Sequence, residues 1–283
     1  LPHLERSYRK FIAGSIAALI AIAIAGAARA ESLLEAGSID YNIMSADGRV
    51  TMGHGRYTID RGKDGIILHG ESRYTTGEYD VETDLLSPGF SGSLPRLKRF
   101  DHLFYSAEGS LIRVAHADLS TGTANCVDSP EHIEQSDTLD FPPDTWAGAS
   151  VLIPIQEFLR SGGEGELHMN VFNCTWKPGV FAVTVNVAPR SGAWPYAQRD
   201  AVQVNVKPHF GWYDVFIEPF VPKLHAWFDP RAGWGFEGVA IARYYRGPDI
   251  LIVSDTTRSG GATQVLIPGA KGKRDGTAEE PRR

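Results

Sequence analysis

Alternation at every second position dominates the chain. In Ser38-Ile39-Asp40-Tyr41-Asn42-Ile43 the large apolar side chains fall on one face and the polar ones on the other, the mark of a half-buried strand. A turn at Ala46-Asp47-Gly48 separates this run from RVTMGHGRYTID, and Asp-Gly between two such runs signals a hairpin. Lys63-Asp64-Gly65 repeats the device ahead of IILHGESRYT. Further strands are predicted at 101–106, 110–118, 165–174, 180–188, 200–207, 213–218, 234–245, 249–254 and 263–267, at least eleven in all.

One segment breaks the two-residue period. DTWAGASVLIPIQEFLR, residues 144–160, carries an Asp that can cap a helix and ends at Ser161-Gly162-Gly163, which can stop one. Pro154 lies inside it and is expected to split or kink the helix. Residues 87–99 and 127–143, rich in Pro, Ser and Asp, read as loops. The pattern predicts a mainly β fold: a large curved antiparallel sheet or a partly open β-barrel, with one short broken helix lying on it. A sheet of that size has to curl or close to manage its edges.

Composition divides the chain further. Arg6, Arg9 and Lys10 precede an uncharged apolar run, Phe11 to Ala28, and Ala28-Arg29-Ala30 is a small-x-small cleavage pattern. Together they predict a secretory signal peptide over 1–30, cleaved after Ala30. The rival is a retained anchor, because the run approaches the roughly 20 residues that span a bilayer. Residues 31–268 are expected to form a single β domain, with 128–143 as the place where two sub-domains would meet instead. GAKGKRDGTAEEPRR, residues 269–283, is polar and lacks aromatics, the composition of a disordered tail.

Cleavage removes four basic residues (Arg6, Arg9, Lys10, Arg29) and one acid (Glu5), taking the formal charge from −6 to −9. So acidic a protein lacks the basic footprint that nucleic acid or an anionic membrane needs, so membrane contact is expected only through the signal segment. The expected location is exported: periplasmic, cell-envelope or secreted. In an oxidising compartment the two cysteines, Cys126 and Cys174, are expected to form one disulfide, with two buried thiols as the alternative. They are too few for a structural zinc site on their own. The eight histidines after residue 30 are scattered, without H-x-H or H-E-x-x-H, so no metal and no cofactor is predicted.

GWGFEG, residues 233–238, spells the G-x-G-x-x-G of a dinucleotide loop. That loop needs a helix behind it, so that the helix N-terminus meets the pyrophosphate. Here the β-branched and aromatic VAIARYYR follows, and Gly247-Pro248 stops it. A hairpin explains the stretch better, with Pro230 and Gly233 in the turn. With Asp229 facing Trp234, Trp227 would lie opposite Phe236 and His225 opposite Gly238. Five of the six Trp fall between 176 and 234: Trp176, Trp194, Trp212, Trp227 and Trp234. Aromatic stripes of this kind are mostly core. As a ligand site, Trp212, Trp227, Trp234 and Tyr244 would line a barrel mouth for a lipid or a sugar. Arg243 and Glu237, alternating with Val239 and Ile241, would anchor a polar head group. GFSGS at 89–93 misses the G-x-S-x-G nucleophile pattern by one position, and no catalytic residue is assigned.

The early strand SIDYNIM, the paired strands with Gly turns, and DTWAGASVLIPIQEFLR before a Gly-rich turn and a strand give the chain a layout. It resembles that of uncharacterised exported bacterial β-proteins assigned to domains of unknown function. At one further remove it is similar to the open barrels that carry lipids and lipoproteins across the periplasm. The resemblance implies a β fold and a carrier role, and brings no catalytic residues. Export, a β scaffold and clustered aromatics favour a non-enzymatic binding or carrier module for an apolar or amphipathic ligand, a lipid or a glycan. The alternative is an envelope hydrolase acting on glycan through paired carboxylates.

Overall fold

The computed structural model describes residue 34 and residues 37–89, 93–175, 177–188, 201–209, 224–244 and 247–255. The expected signal segment with its expected cleavage point at Ala30, the expected tail, Trp212 and the strands expected at 213–218 and 263–267 lie outside them.

Fifteen strands form among the described residues. The first eight are β1 (Ser38–Ser45), β2 (Thr51–Arg61), β3 (Ile66–Tyr74), β4 (Tyr79–Leu86), β5 (Leu97–Tyr105), β6 (Leu111–Asp118), β7 (Thr123–Asp128) and β8 (Ile133–Thr138). The short β9 (Thr145–Trp146) leads into the helical segment, a 3-10 turn at Gly148–Val151 continuing as α1 (Leu152–Arg160). Then follow β10 (Glu166–Cys174), β11 (Pro178–Val187), β12 (Val202–Pro208), β13 (Leu224–Asp229), β14 (Gly235–Ala242) and β15 (Asp249–Ser254).

All fifteen belong to one sheet, in the order β8 through β1, then β15 down to β9. Every pairing is antiparallel except β9 with β10. The chain starts in the middle of the sheet, walks out to β8, crosses to the opposite edge at β9 and walks back, so that β15 pairs with β1. This route forces the sheet to curl. Fifteen strands laid flat at about 4.8 Å spacing would put the edges about 67 Å apart. The link at 139–144 reaches only about 20 Å when extended. The ends therefore meet: β6 packs on β10, and β7 and β8 pack on β11. A disulfide between Cys126 on β7 and Cys174 on β10, Cα atoms 5.6 Å apart, joins them. No hydrogen-bonded ladder links β8 to β9, so the result is a strongly curved sheet not closed into a barrel.

Two of the expected loops are partly strand. β8, IEQSDT, lies inside the stretch read as a loop, because an exposed edge strand has no apolar face to alternate. β5 likewise begins at Leu97.

The inner face differs between the halves. Around β10 to β15 it is apolar: Met169, Val183, Val185, Val204, Ala226, Phe228 and Val239 all belong to the main core. Around β1 to β5 it is mixed. Tyr41 crosses Gly55, and Tyr57 crosses Gly70. A methyl at Gly55 would stand 2.3 Å from the Tyr41 ring, and one at Gly70 would meet the Tyr57 ring at 2.4 Å, so only glycine lets these rings lie down inside the curve.

α1 crosses the end of the curled sheet where β2–β3, β4–β5 and β13–β14 turn. It buries Ile153, Ile155 and Leu159 in the main core. Pro154 does not split it. It occupies the third α-helical position, where its missing N–H belongs to the donors without an intrahelical partner. Asp144 does not cap it either: Thr145 and Trp146 still pair with β10, and the Asp144 carboxylate accepts from Asn170 Nδ2 at 2.8 Å. The caps come from the distant strand β4.

Candidate functional site

The β4 sequence YDVETDLL alternates acids with uncharged residues. Sequence logic turns acids toward water. Here Asp80, Glu82 and Asp84 face inward and are buried. Two of them serve the helical segment. Glu82 Oε1 accepts from the Ala149 N–H at 2.7 Å, and Asp84 Oδ2 from the Ser150 N–H at 2.9 Å. Carboxylates at a helix N-terminus satisfy orphan donors and oppose the positive end of the dipole. Gly148 makes the approach possible: it holds φ +50°, and a methyl there would strike Glu82 and the Phe100 ring.

His102 on β5 stands between the other two carboxylate contacts. Its Nε2 is 3.3 Å from Asp80 Oδ1, and its Nδ1 3.5 Å from Glu82 Oε2. Tyr74 donates its hydroxyl to Asp80 Oδ2 at 2.9 Å, while Tyr41 and Ser72 share a 3.0 Å hydrogen bond beside it. Burial works against charge on His102, but Asp80 and Glu82 outweigh it and raise the imidazole above its ordinary value. Burial also works against Asp80, yet His102, Ser72 and Tyr74 hold it below the usual carboxylate range. Asp84 goes the other way. Complete burial, then the Glu82 charge, push it well above that range, and its Oδ1 has no donor among the described residues.

The described residues among those singled out in the sequence do not converge. Arg243 and Tyr244 lie at the opposite end from α1. The Arg243 guanidinium stacks 3.4 Å above the Tyr74 ring and pairs with Glu78 at 2.8 Å. Tyr244 lies beneath the Arg113 guanidinium at 3.8 Å and edge-on to Phe104. Glu237 lies six residues back along β14, about 20 Å away at the usual strand rise. It is buried near Asp229 and Arg231. Burial, with the Asp229 charge adding and Arg231 opposing, raises its carboxyl to about 7. Trp227 is buried on the outer face with Leu251 and Val253. Trp234 packs against the main core, and its carbonyl accepts from Gln156 of α1 at 2.7 Å.

The hairpin register also differs from the expected one. Asp229 pairs with Gly235, Phe228 with Phe236 and Trp227 with Gly238, and His225 faces Ala240. Two local features cause the slip. Trp234 adopts a left-handed φ of +69°, which lengthens the turn by one residue, and a bulge between Trp227 and Phe228 absorbs Glu237. Phe228, not Trp227, therefore meets Phe236, with ring centroids 6.1 Å apart. GWGFEG passes from this turn directly into β14, so no helix N-terminus stands where a pyrophosphate would need one.

A pocket of about 350 Å³ opens beside α1. Leu34, Ile66, Leu94, Pro95 and Ile153 supply apolar wall, while Arg61, Arg160, Gln156 and Glu157 supply polar rim. Leu94 is 37% exposed at the pocket wall. Arg160 reaches the Gly233 carbonyl, which fixes the helix end against the β13–β14 turn. Among the described residues no group of three or more His, Cys, Asp or Glu is arranged to hold a metal.

The titrations predict a pH slope. Asp84, Glu237 and His102 each hold a proton more tightly in the folded protein than in the unfolded chain, so stability falls as pH rises through each interval. For Glu237 that interval runs from 4.5 to about 7, and for His102 it starts at 6.5. Asp80 acts oppositely, losing its contribution only as pH falls below 3.8. Thermal melts should therefore show the midpoint dropping from pH 4.5 through about pH 7, the Glu237 interval. Glu237→Gln should flatten that slope. A midpoint that rises across the interval would contradict the assignments.

No protein-family model and no curated protein matches the sequence. Among solved structures the chain is similar to the crystal structure of a β-barrel-like protein of a domain of unknown function, DUF1849, from Brucella abortus. The TM-score is 0.43 at 10% identity, over 77% of this chain and 94% of that one.

Proposed function

We propose that the protein is a non-catalytic binding module, and that its ligand is an amphipathic acid with a single apolar chain, seated in the pocket beside α1. The pocket carries the reading: five apolar side chains share its lining with polar ones, two arginines stand at its rim against one glutamate, and its volume lies at the lower end of the range for small-molecule sites. Arginine suits a carboxylate or phosphate head group because its fork donates two parallel hydrogen bonds. The buried acids do not favour hydrolysis. Glu82 and Asp84 are occupied in capping the helical segment, and neither stands in a groove that a glycan could enter. Export to the cell envelope belongs to the same proposal, supported by the N-terminal pattern and by a disulfide that suits an oxidising compartment.

Displacement of a fluorescent fatty-acid probe tests this. Dodecanoate should compete and dodecane sulfonamide should not. Leu94→Trp, which fills the pocket from an exposed position, should weaken probe binding about tenfold with little change in stability. Unchanged probe affinity in Leu94→Trp would reject the pocket as the seat.

A further inference from the structure

The sheet ends in two edges of unlike character. β9 is two residues long and fully buried. β8 is six residues long and exposed from Glu134 to Thr138. Its hydrogen bonding is set by its neighbours. The Leu139 N–H donates to the Gly122 carbonyl at 2.8 Å. In an antiparallel ladder hydrogen-bonded and non-hydrogen-bonded pairs alternate. Counting back along the register, Asp137, Gln135 and Ile133 exchange bonds with Ala124, Cys126 and Asp128 of β7. The main-chain groups of Glu134 and Ser136 then point away from the sheet. The Asp137 carboxylate accepts the Thr138 N–H at 2.8 Å, and no described residue bonds the outward main chain of Glu134 or Ser136.

The charge on this edge has one sign. Residues 131–140 hold Glu131, Glu134, Asp137 and Asp140, with no Lys or Arg. Charged edges deter pairing, and the deterrence is selective. Acids repel a second copy of the same edge, since like charges brought together across a sheet are destabilising. Glu134 and Asp137 lie on opposite faces of β8, so they attract a strand that carries lysine or arginine on both faces.

We propose that β8 is a docking edge for an extended, basic segment of another polypeptide, which adds one more strand to the sheet. Main-chain hydrogen bonds from Glu134 and Ser136 would supply register, and the acids would select charge. This assignment is independent of the pocket beside α1.

A fluorescent peptide of about seven residues built from Lys and Val, with Lys on both faces and long enough for one strand, is the probe, with its Glu-for-Lys counterpart as control. Saturable binding in the micromolar range is expected for the Lys peptide only. Ser136→Pro should weaken it at least tenfold. Proline there removes an outward N–H and the exposed Ser136 Oγ hydrogen bond to Asn125 but no ladder bond to β7, so near-ultraviolet circular dichroism should be unchanged. Glu134→Lys should weaken the Lys peptide and admit the Glu peptide, a reversal that misfolding would not produce. Amide exchange should slow at Glu134 and Ser136 when the Lys peptide binds. The proposal falls if the Lys peptide does not saturate, or if Ser136→Pro binds it equally, which would leave only diffuse charge attraction. It also falls if Ser136→Pro instead abolishes a dimer of the chain, which would give the edge to a second copy.

Discussion

Replacing both cysteines, Cys126→Ala with Cys174→Ala, should lower the unfolding free energy by about 4 kcal/mol, the chain-entropy value for a loop of this length. The sequence separation is 48, and the loop it closes contains β8, β9 and the whole helical segment. The curled sheet has no ladder across its seam, so the bond acts where hydrogen bonds do not. It joins β7 to β10 directly and holds the two ends around α1. Urea melts of the oxidised protein and the double variant give the number. Thiol labelling of unfolded, unreduced protein should find neither cysteine free. A loss below about 1 kcal/mol would mean that apolar packing of β6 and β7 on β10 and β11 closes the seam alone.

Phe228→Ala should cost about 3–5 kcal/mol, the usual range for a buried aromatic. Phe228 is fully buried and lies in the main core edge-on to Phe236. Trp227 points to the other face, where Leu251 and Val253 cover it, and its truncation should cost a similar amount. The two residues are separated by their couplings. A double-mutant cycle of Phe228 with Phe236 should give a coupling of about 0.5–1.5 kcal/mol, and one of Trp227 with Phe236 close to zero. The reverse result would restore the simple hairpin register and remove the bulge.

That register shows where sequence reasoning stops. Alternation, the Asp-Gly turns and the Gly-Pro stop reveal strands because they are local. The turn at Trp234 does not, because a tryptophan with positive φ is a tertiary outcome that no propensity favours. β4 is instructive in another way. YDVETDLL places its acids on one face, but a period of two cannot say which face is inside. The acids are inside because a helix N-terminus, 66 or 67 residues along the chain, offers them two N–H groups. The same distance hides the caps of the helical segment, where the nearer Asp144 is the obvious but unused choice. β8 escaped notice because an exposed edge strand has no hydrophobic period. The pocket carries no motif: its walls come from the N-terminal approach to β1, the β2–β3 turn, the β4–β5 loop and α1. The described sequence-selected residues lie near opposite ends of β14: Arg243 and Tyr244 stack with neighbouring rings and guanidinium groups, with Arg243 paired to Glu78, while Glu237 is buried and Trp234 packs against the core.

Mass spectrometry of organic extracts tests the binding-module account most directly. Protein purified from its native cells should release a single-chain amphipathic acid in about equimolar amount, and the Leu94→Trp protein should release several-fold less. Extracts no richer than those of a control protein, or equal yields from the two forms, would contradict it.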